Sequence, residues 1–295
     1  MRAASMCIAC LLKKQDKKIR NFDDEEKKSE YMHKVLEVLY QYGRSESAPW
    51  LSEQLGTLYE CYWGALNYTP LKQKYNRLLL DRESELEQAI RAADDVIREC
   101  IKYVCAGNYI DFSAVENVSE QTFETLLAQA ALATVQEEEY AHFVNDLSTA
   151  RSLVYLTDNC GEIVLDKLFI RFLREKYPAL QIHAIVRGKD IVNDATLQDA
   201  QEVGLTKLVP CIGNGTGTAG TVLKNLSEEA RELLLGADVV ISKGQGNFET
   251  LFGEGLNPYY LFLCKCELFV RRFGLIQFAP VFIKEERVCF AADTL

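Results

Sequence analysis

Apolar residues change their spacing about halfway along the chain. Before residue 148 they recur at helical intervals. Asp23 to Tyr42 carries Tyr31, Val35, Leu36, Val38 and Leu39 among charges and is closed by Gly43, which predicts a helix. Pro49 to Leu58 predicts a shorter one. From Asp81, the set Leu86, Ile90, Ala93, Ile97, Ile101 and Val104 advances in steps of three and four as far as Gly107, which reads as one long amphipathic helix. Ser119 is placed to cap another helix through Phe123, Leu126, Leu127 and Ala130. The acid run Glu137-Glu138-Glu139 reads as a solvated helix face.

After residue 148 short β-rich runs alternate with helices. The runs are 152–157 (SLVYLT), 181–186 (QIHAIV), 207–212 (KLVPCI), 237–242 (ADVVIS), 261–266 and 278–283. Helices are predicted over 162–177, closed by Pro178, over 227–235 between a Ser227 cap and Gly236, and around 269–273. Alternation of this kind implies βαβ units and a mostly parallel sheet, and strands buried on both faces read as continuous apolar runs. The expected fold class is α/β: a helical N-terminal region over 1–147, then an α/β/α sandwich with a Rossmann-like sheet over 148–295.

Composition narrows the function. The 295 residues are 48% hydrophobic and 26% charged, as in a globular protein. The formal net charge of −10 argues against a non-specific nucleic-acid binder, which needs a basic face. No apolar run approaches the ~18 residues of a membrane span, so no membrane partner is expected. The opening MRAASMCIACLL has a short apolar stretch but no clear cleavage site, and no leader is expected. Ten cysteines, mostly inside apolar runs, suit a reducing cytoplasm. Cys7 and Cys10 form a CxxC without matching partners, which reads as structural rather than zinc-binding.

In an open parallel sheet, ligands bind beyond the carboxyl ends of the strands. The residues after the first predicted strands are therefore the informative ones: Asp158-Asn159-Cys160-Gly161-Glu162, Arg187 through Asp194, the Gly-rich run 213–220, and Lys243 through Glu249, with Gly244 directly after the lysine. Asp158, Asn159 and Asp194 are hard oxygen donors that suit Mg²⁺ or Mn²⁺, although Asp158 or Asn159 reads equally as a helix cap and Asp194 as a turn residue. The run 213–220 fits a flexible loop better than a phosphate cradle. Lys243, directly after a strand, reads equally as an anion ligand and as an ordinary lysine.

DNCGE at 158–162, RGKxxxND at 187–194 and SKGQGNFE at 242–249 closely resemble the damage-control phosphatase family, formerly domain of unknown function 89. MCIACLL at 6–12 and AGNYIDFS at 106–113 resemble its microbial stand-alone subfamily. The resemblance implies a metal-dependent phosphatase acting on small phosphorylated metabolites, such as sugar phosphates or damaged cofactor precursors. Asp158, Asn159 and Asp194 would hold a divalent ion (Mg, Mn, Co or Ni), with Asp158 either a ligand or a nucleophile. Lys243 would hold the phosphate, Asn108 and Asp111 would reach the site from the helical region, and Arg187 and Gly244 would complete the phosphate-facing set. A Rossmann-like methyltransferase and a catalytically silent metabolite- or metal-binding module are the rival readings. The sequence does not fix the oligomeric state.

Overall fold

The computed structural model describes residues 1–109 and 120–291. Eight helices come first: α1 (Ser5–Ile19), α2 (Glu25–Tyr42), α3 (Ala48–Trp63), α4 (Thr69–Leu80), α5 (Glu83–Arg91), α6 (Val96–Gly107), α7 (Glu120–Leu132) and α8 (Glu137–Thr149). Strands and helices then alternate: β1 (Ser152–Leu156), α9 (Glu162–Lys176), β2 (Gln181–Val186), α10 (Leu197–Glu202), β3 (Cys211–Gly213), α11 (Glu228–Leu235), β4 (Val239–Lys243), α12 (Gln245–Leu251), β5 (Tyr259–Leu263), α13 (Glu267–Phe273) and β6 (Pro280–Lys284). The sheet order is β3-β2-β1-β4-β5-β6, with β6 alone antiparallel to its neighbour. This is the doubly wound order in which the chain reverses direction between β1 and β4, and a crevice opens there beyond the strand ends.

Side chains along each strand alternate between two cores. Leu153 and Tyr155 of β1 face a layer built by α4 to α9, while Val154 and Leu156 face α11, α12 and α13. Both faces are thus covered, which explains the unbroken apolar runs. α1, α2 and α3 have a core of their own around Tyr31, Val35, Leu51 and Leu55. The change of pattern near residue 148 marks where strands begin, whereas the cores divide elsewhere: α1–α3 alone, and α4–α8 together with the sheet. No helix among the described residues is long and apolar enough to cross a membrane.

Several expectations are corrected. The segment 81–107 is two helices, broken over 92–95. Asp95 adopts an extended conformation and caps α6 by accepting the Arg98 N–H at 3.3 Å, and Tyr140 donates its hydroxyl to the same carboxylate at 2.6 and 2.7 Å. The break is about one helical turn long, so Ile90 and Ile97 still fall in one core and the apolar rhythm crosses it unbroken. Glu137 and Glu138 are exposed as expected, but Glu139 is buried and accepts from the Arg287 guanidinium at 2.6 and 2.7 Å and from the Lys284 N–H at 2.7 Å. The third strand starts only at Cys211, because Pro210 has no N–H for the ladder. α1 and α4 have no counterpart among the expected helices; the buried residues of α1 include Gln15, which accepts the Tyr31 hydroxyl at 2.5 Å, so its apolar stripe is incomplete. Ser119 lies outside the described residues.

Replacing Asp95 by Ala removes both the α6 cap and the acceptor of Tyr140. Chemical denaturation should show a loss of ~1–2 kcal/mol, mostly recovered in Asp95→Asn, since Asn caps equally well. An Asp95→Ala midpoint equal to wild type would show that the break has another cause.

Candidate active site

β1 ends below Thr157, and Asp158 and Asn159 follow at the switch point. Gly161, at φ +77°, turns the chain into α9 and donates its N–H to Asn76 of α4 at 2.8 Å. The connection after β2 is laced onto this turn. Cys160 N–H donates to the Asn193 carbonyl and Ala195 N–H to the Asp158 carbonyl, each at 2.8 Å, and an isolated bridge joins Asn159 to Asp194. The adjacent Asp158 and Asn159 thus meet Asp194 from a different connection. All are buried, and Asp158 retains 8% exposure.

Two carboxylates in so little space need compensation. Arg187, itself 2% exposed, donates from Nε to Asp194 at 2.6 Å and from Nη2 to Asp158 at 3.4 Å. Its Nη1 is held by the Gly220 carbonyl at 3.0 Å and Asn247 Oδ1 at 2.9 Å. Asp158 Oδ2 accepts from Asn108 at 3.0 Å and Asn159 at 2.7 Å. Even so, burial, with Asp194 and Glu162 beside it, pushes the Asp158 carboxyl up to about 7. Asn159 presents Oδ1 to Asn193 Nδ2 at 2.7 Å and directs its NH₂ to Asp158 and, at 3.0 Å, to Glu162.

Among the described residues no three His, Cys, Asp or Glu side chains converge as a metal-binding group. The cluster here is two carboxylates and a carboxamide, oxygens without thiolate or imidazole. Such a set fits a hard divalent ion that keeps several waters, and positive charge there would relieve the repulsion between Asp158 and Asp194.

The remaining expected residues behave differently. Lys243 is fully buried, and its ammonium is taken up by Glu162 and by Asp166 Oδ1 at 3.0 Å, so it has no exposed surface toward the crevice. The Gly244 N–H donates to the Leu261 carbonyl at 2.9 Å. What Gly244 contributes is room: at φ +82°, a Cβ there would lie 2.1 Å from Asp158 Oδ2. Asn108 is also buried and joins the cluster from α6, accepting the Leu263 N–H at 3.1 Å on its carbonyl. Asp111 lies outside the described residues. The Gly-rich run is a tied loop, with Gly217 N–H donating at 3.3 Å, and the Thr218 hydroxyl as well, to Glu53 of α3. Cys7 is half-buried and Cys10 exposed, so any packing contribution of the pair is Cys7's.

Sequence reasoning missed Lys265 and the roles of Glu162, Asp166 and Asn247. Lys265 lies two residues beyond the end of β5, is partly exposed, and its charge acts on both Asp158 and Glu162. The rule that singled out Lys243 finds it too, once the end of the fifth strand is read. Glu162 and Asn247 stood inside the DNCGE and SKGQGNFE blocks.

A family model described as the damage-control phosphatase ARMT1-like domain matches residues 3–278. A protein named damage-control phosphatase from Archaeoglobus fulgidus is 27% identical, over 93% of this chain and 96% of that protein. Damage-control phosphatase PH1575 from Pyrococcus horikoshii is 32% identical, over 68% of this chain and 71% of its own length. A crystal structure of a DUF89 family protein from Pyrococcus horikoshii shares the fold with a TM-score of 0.80 at 24% identity, covering 97% of this chain and 99% of that one.

Two outcomes follow from the geometry. Gly244→Ala drives a methyl into the Asp158 carboxylate from a left-handed backbone and should cost ~2 kcal/mol or more; adding Asp158→Ala should return part of that in thermal melts. An unshifted Gly244→Ala melt would contradict the packing. The second concerns pH. With its carboxyl raised in the folded state, Asp158 binds more protons there than in the unfolded chain between about pH 4 and 7. In chelator, its contribution to stability therefore falls as pH rises through that window. Asp158→Asn removes this loss, so the variant should gain on wild type from pH 4 to 7; a pH-independent difference would contradict it.

Proposed function

The chain belongs to the damage-control phosphatase ARMT1-like family, and we propose that it hydrolyses phosphomonoesters of small metabolites, sugar phosphates or damaged phosphometabolites, using a divalent ion held by Asp158, Asn159 and Asp194. One observation carries the reading: the connections after β1 and β2 converge at the switch point to gather two carboxylates and a carboxamide, on which the charges of Arg187 and Lys265 act. A methyltransferase finds no support in a family of phosphatases, and neither does a catalytically silent module. The ten cysteines, none in a disulfide, favour a reducing compartment such as the cytoplasm.

When bound, the ion supplies positive charge to the phosphoryl oxygens and fixes their orientation. The protein's own groups do the rest. Arg187 keeps the two carboxylates side by side by neutralising them from behind, where it is hydrogen-bonded on every side and stays in place. Lys265, partly exposed beside Asp158, is the cation directed at the phosphate, and its charge is worth most as negative charge builds on the transferring group. Both oxygens of Asp158 already accept hydrogen bonds, which suits a ligand better than a nucleophile. Water is therefore the attacking group: its oxygen bonds to phosphorus, the bond to the ester oxygen breaks, and the alcohol leaves with a proton.

Release of phosphate from an aryl phosphate should stop with exhaustive chelation and return with Mg²⁺, Mn²⁺, Co²⁺ or Ni²⁺. Turnover that survives chelation would sink the reading. Asp158→Asn should lower kcat about a thousandfold, or ~4 kcal/mol at 1.36 kcal/mol per tenfold. Lys265→Ala should raise KM and lower kcat without rescue by excess metal. Near-normal kinetics in either folded variant would move the centre elsewhere.

A further inference from the structure

Beneath the proposed site lies a buried charge network that the reaction itself does not call on. Lys243, at the end of β4, is enclosed on all sides. Its ammonium donates to one oxygen of Glu162 and to Asp166 Oδ1, and the latter also accepts the hydroxyl of buried Tyr155 at 2.6 Å. The other oxygen of Glu162 accepts two carboxamide donors at 3.0 Å each, Asn108 and Asn159. Glu162 is fully buried and faces donors on both edges of its carboxylate.

The consequence lies in Asn159. A carboxamide binds a cation only through its oxygen, and its two ends differ little in shape. Which end faces the crevice is decided by its hydrogen-bond partners: Asn193 Nδ2 donates to the oxygen at 2.7 Å, and acceptors hold the NH₂. Here those acceptors are Asp158 and Glu162, and of the two only Glu162 lies outside the proposed ligand set. We infer that Lys243 and Glu162 form a positioning pair: Lys243 fixes the Glu162 carboxylate, which accepts from the NH₂ groups of Asn159 and Asn108 and so holds the Asn159 carbonyl oxygen in its working orientation. Lys243 then serves the reaction without touching phosphate. Groups that orient metal ligands in this way change metal affinity or activity by about 10–100-fold when altered. The inference rests on Asn159 being a metal ligand.

The carboxylate at 162 is hard to replace. Glutamine has one acceptor oxygen, whereas the network needs one toward Lys243 and one toward the asparagines. With Lys243 present, Glu162→Gln must leave a donor facing a donor. With methionine at 243 the conflict disappears, and the glutamine oxygen can turn to the asparagines. The test is Mn²⁺ affinity of the full-length protein by calorimetric titration, alongside KM for an aryl phosphate at saturating Mn²⁺, in Glu162→Gln, Lys243→Met and the double variant. Expected are a loss of Mn²⁺ affinity of about 10–100-fold in Glu162→Gln, tighter binding in the double variant than in Glu162→Gln, and KM within about threefold of wild type throughout. Should Lys243→Met alone not fold, because it strands two carboxylates, Glu162→Gln and the double variant still decide. Losses that multiply in the double variant, or a KM increase beyond about tenfold wherever Lys243 is absent, would make Lys243 a phosphate ligand and overturn the pair. Wild-type Mn²⁺ affinity in Glu162→Gln would overturn it as well, while leaving the phosphatase reading intact. Failure of the wild type itself to bind Mn²⁺ would overturn the metal reading, and this inference with it.

Discussion

Two carboxylates, Asp158 and Asp194, are held side by side, both buried, and much of the surrounding architecture answers that one cost. An unpaired buried charge is expensive, and breaking a buried pair strands its partner. Arg187 therefore meets both carboxylates and is itself fixed by Gly220, Asn247 and Thr221. Asn108 comes from the helical half to donate to Asp158, and Gly244 gives up its side chain so that the carboxylate has room. One level deeper, Glu162, Asp166 and Lys243 repeat the arrangement. Burial works against the ammonium of Lys243, yet Asp166 and Glu162 hold its pKa above the usual lysine value, and Lys243 in turn keeps Glu162 below the usual carboxylate range despite burial.

The sheet decides where this happens. Parallel strands β1 and β4 are neighbours although β1 leads on to β2 and β4 on to β5, so their carboxyl ends diverge into a crevice. The helical half closes the rim through polar grips. Lys72 of α4 pairs with Asp190 at 2.8 Å and Asp199 at 2.7 Å, and Glu53 of α3 secures the loop after β3. These contacts tether the same connections that deliver Asp194 and Arg187. The N-terminal helices therefore contribute to the shape of the site even where they supply no reacting group.

Most of the fold was legible because burial on both sheet faces leaves continuous apolar runs, as at 181–186, where expectation and strand coincide. The proposed ligand set was drawn from the sequence for a related reason: Asp158 and Asn159 follow such a run directly, and Asp194 lies in the RGKxxxND block with Arg187. What stayed hidden depends on contacts that sequence spacing does not encode. The break at 92–95 is invisible because a missing turn preserves helical phase. The burial of Lys243 follows from α9 presenting Glu162 and Asp166 one turn apart, which only the packed sheet brings to bear on β4. Lys265 was obscured by the apolar residues and cysteines around it, which draw attention to packing rather than charge.

The oxygens of Asp158, Asn159 and Asp194 are proposed to form one divalent-ion site at the β1–β4 crevice. Crystals grown with Mn²⁺ and an unreactive phosphate analogue, measured at a wavelength where manganese scatters anomalously, test it most directly. The account requires an anomalous peak within bonding distance of all three side chains, with Asn159 contributing its carbonyl oxygen and the analogue bound between that peak and Lys265. A peak elsewhere, with these three side chains keeping their bonds to Arg187, Asn108, Asn193 and Glu162, would contradict it.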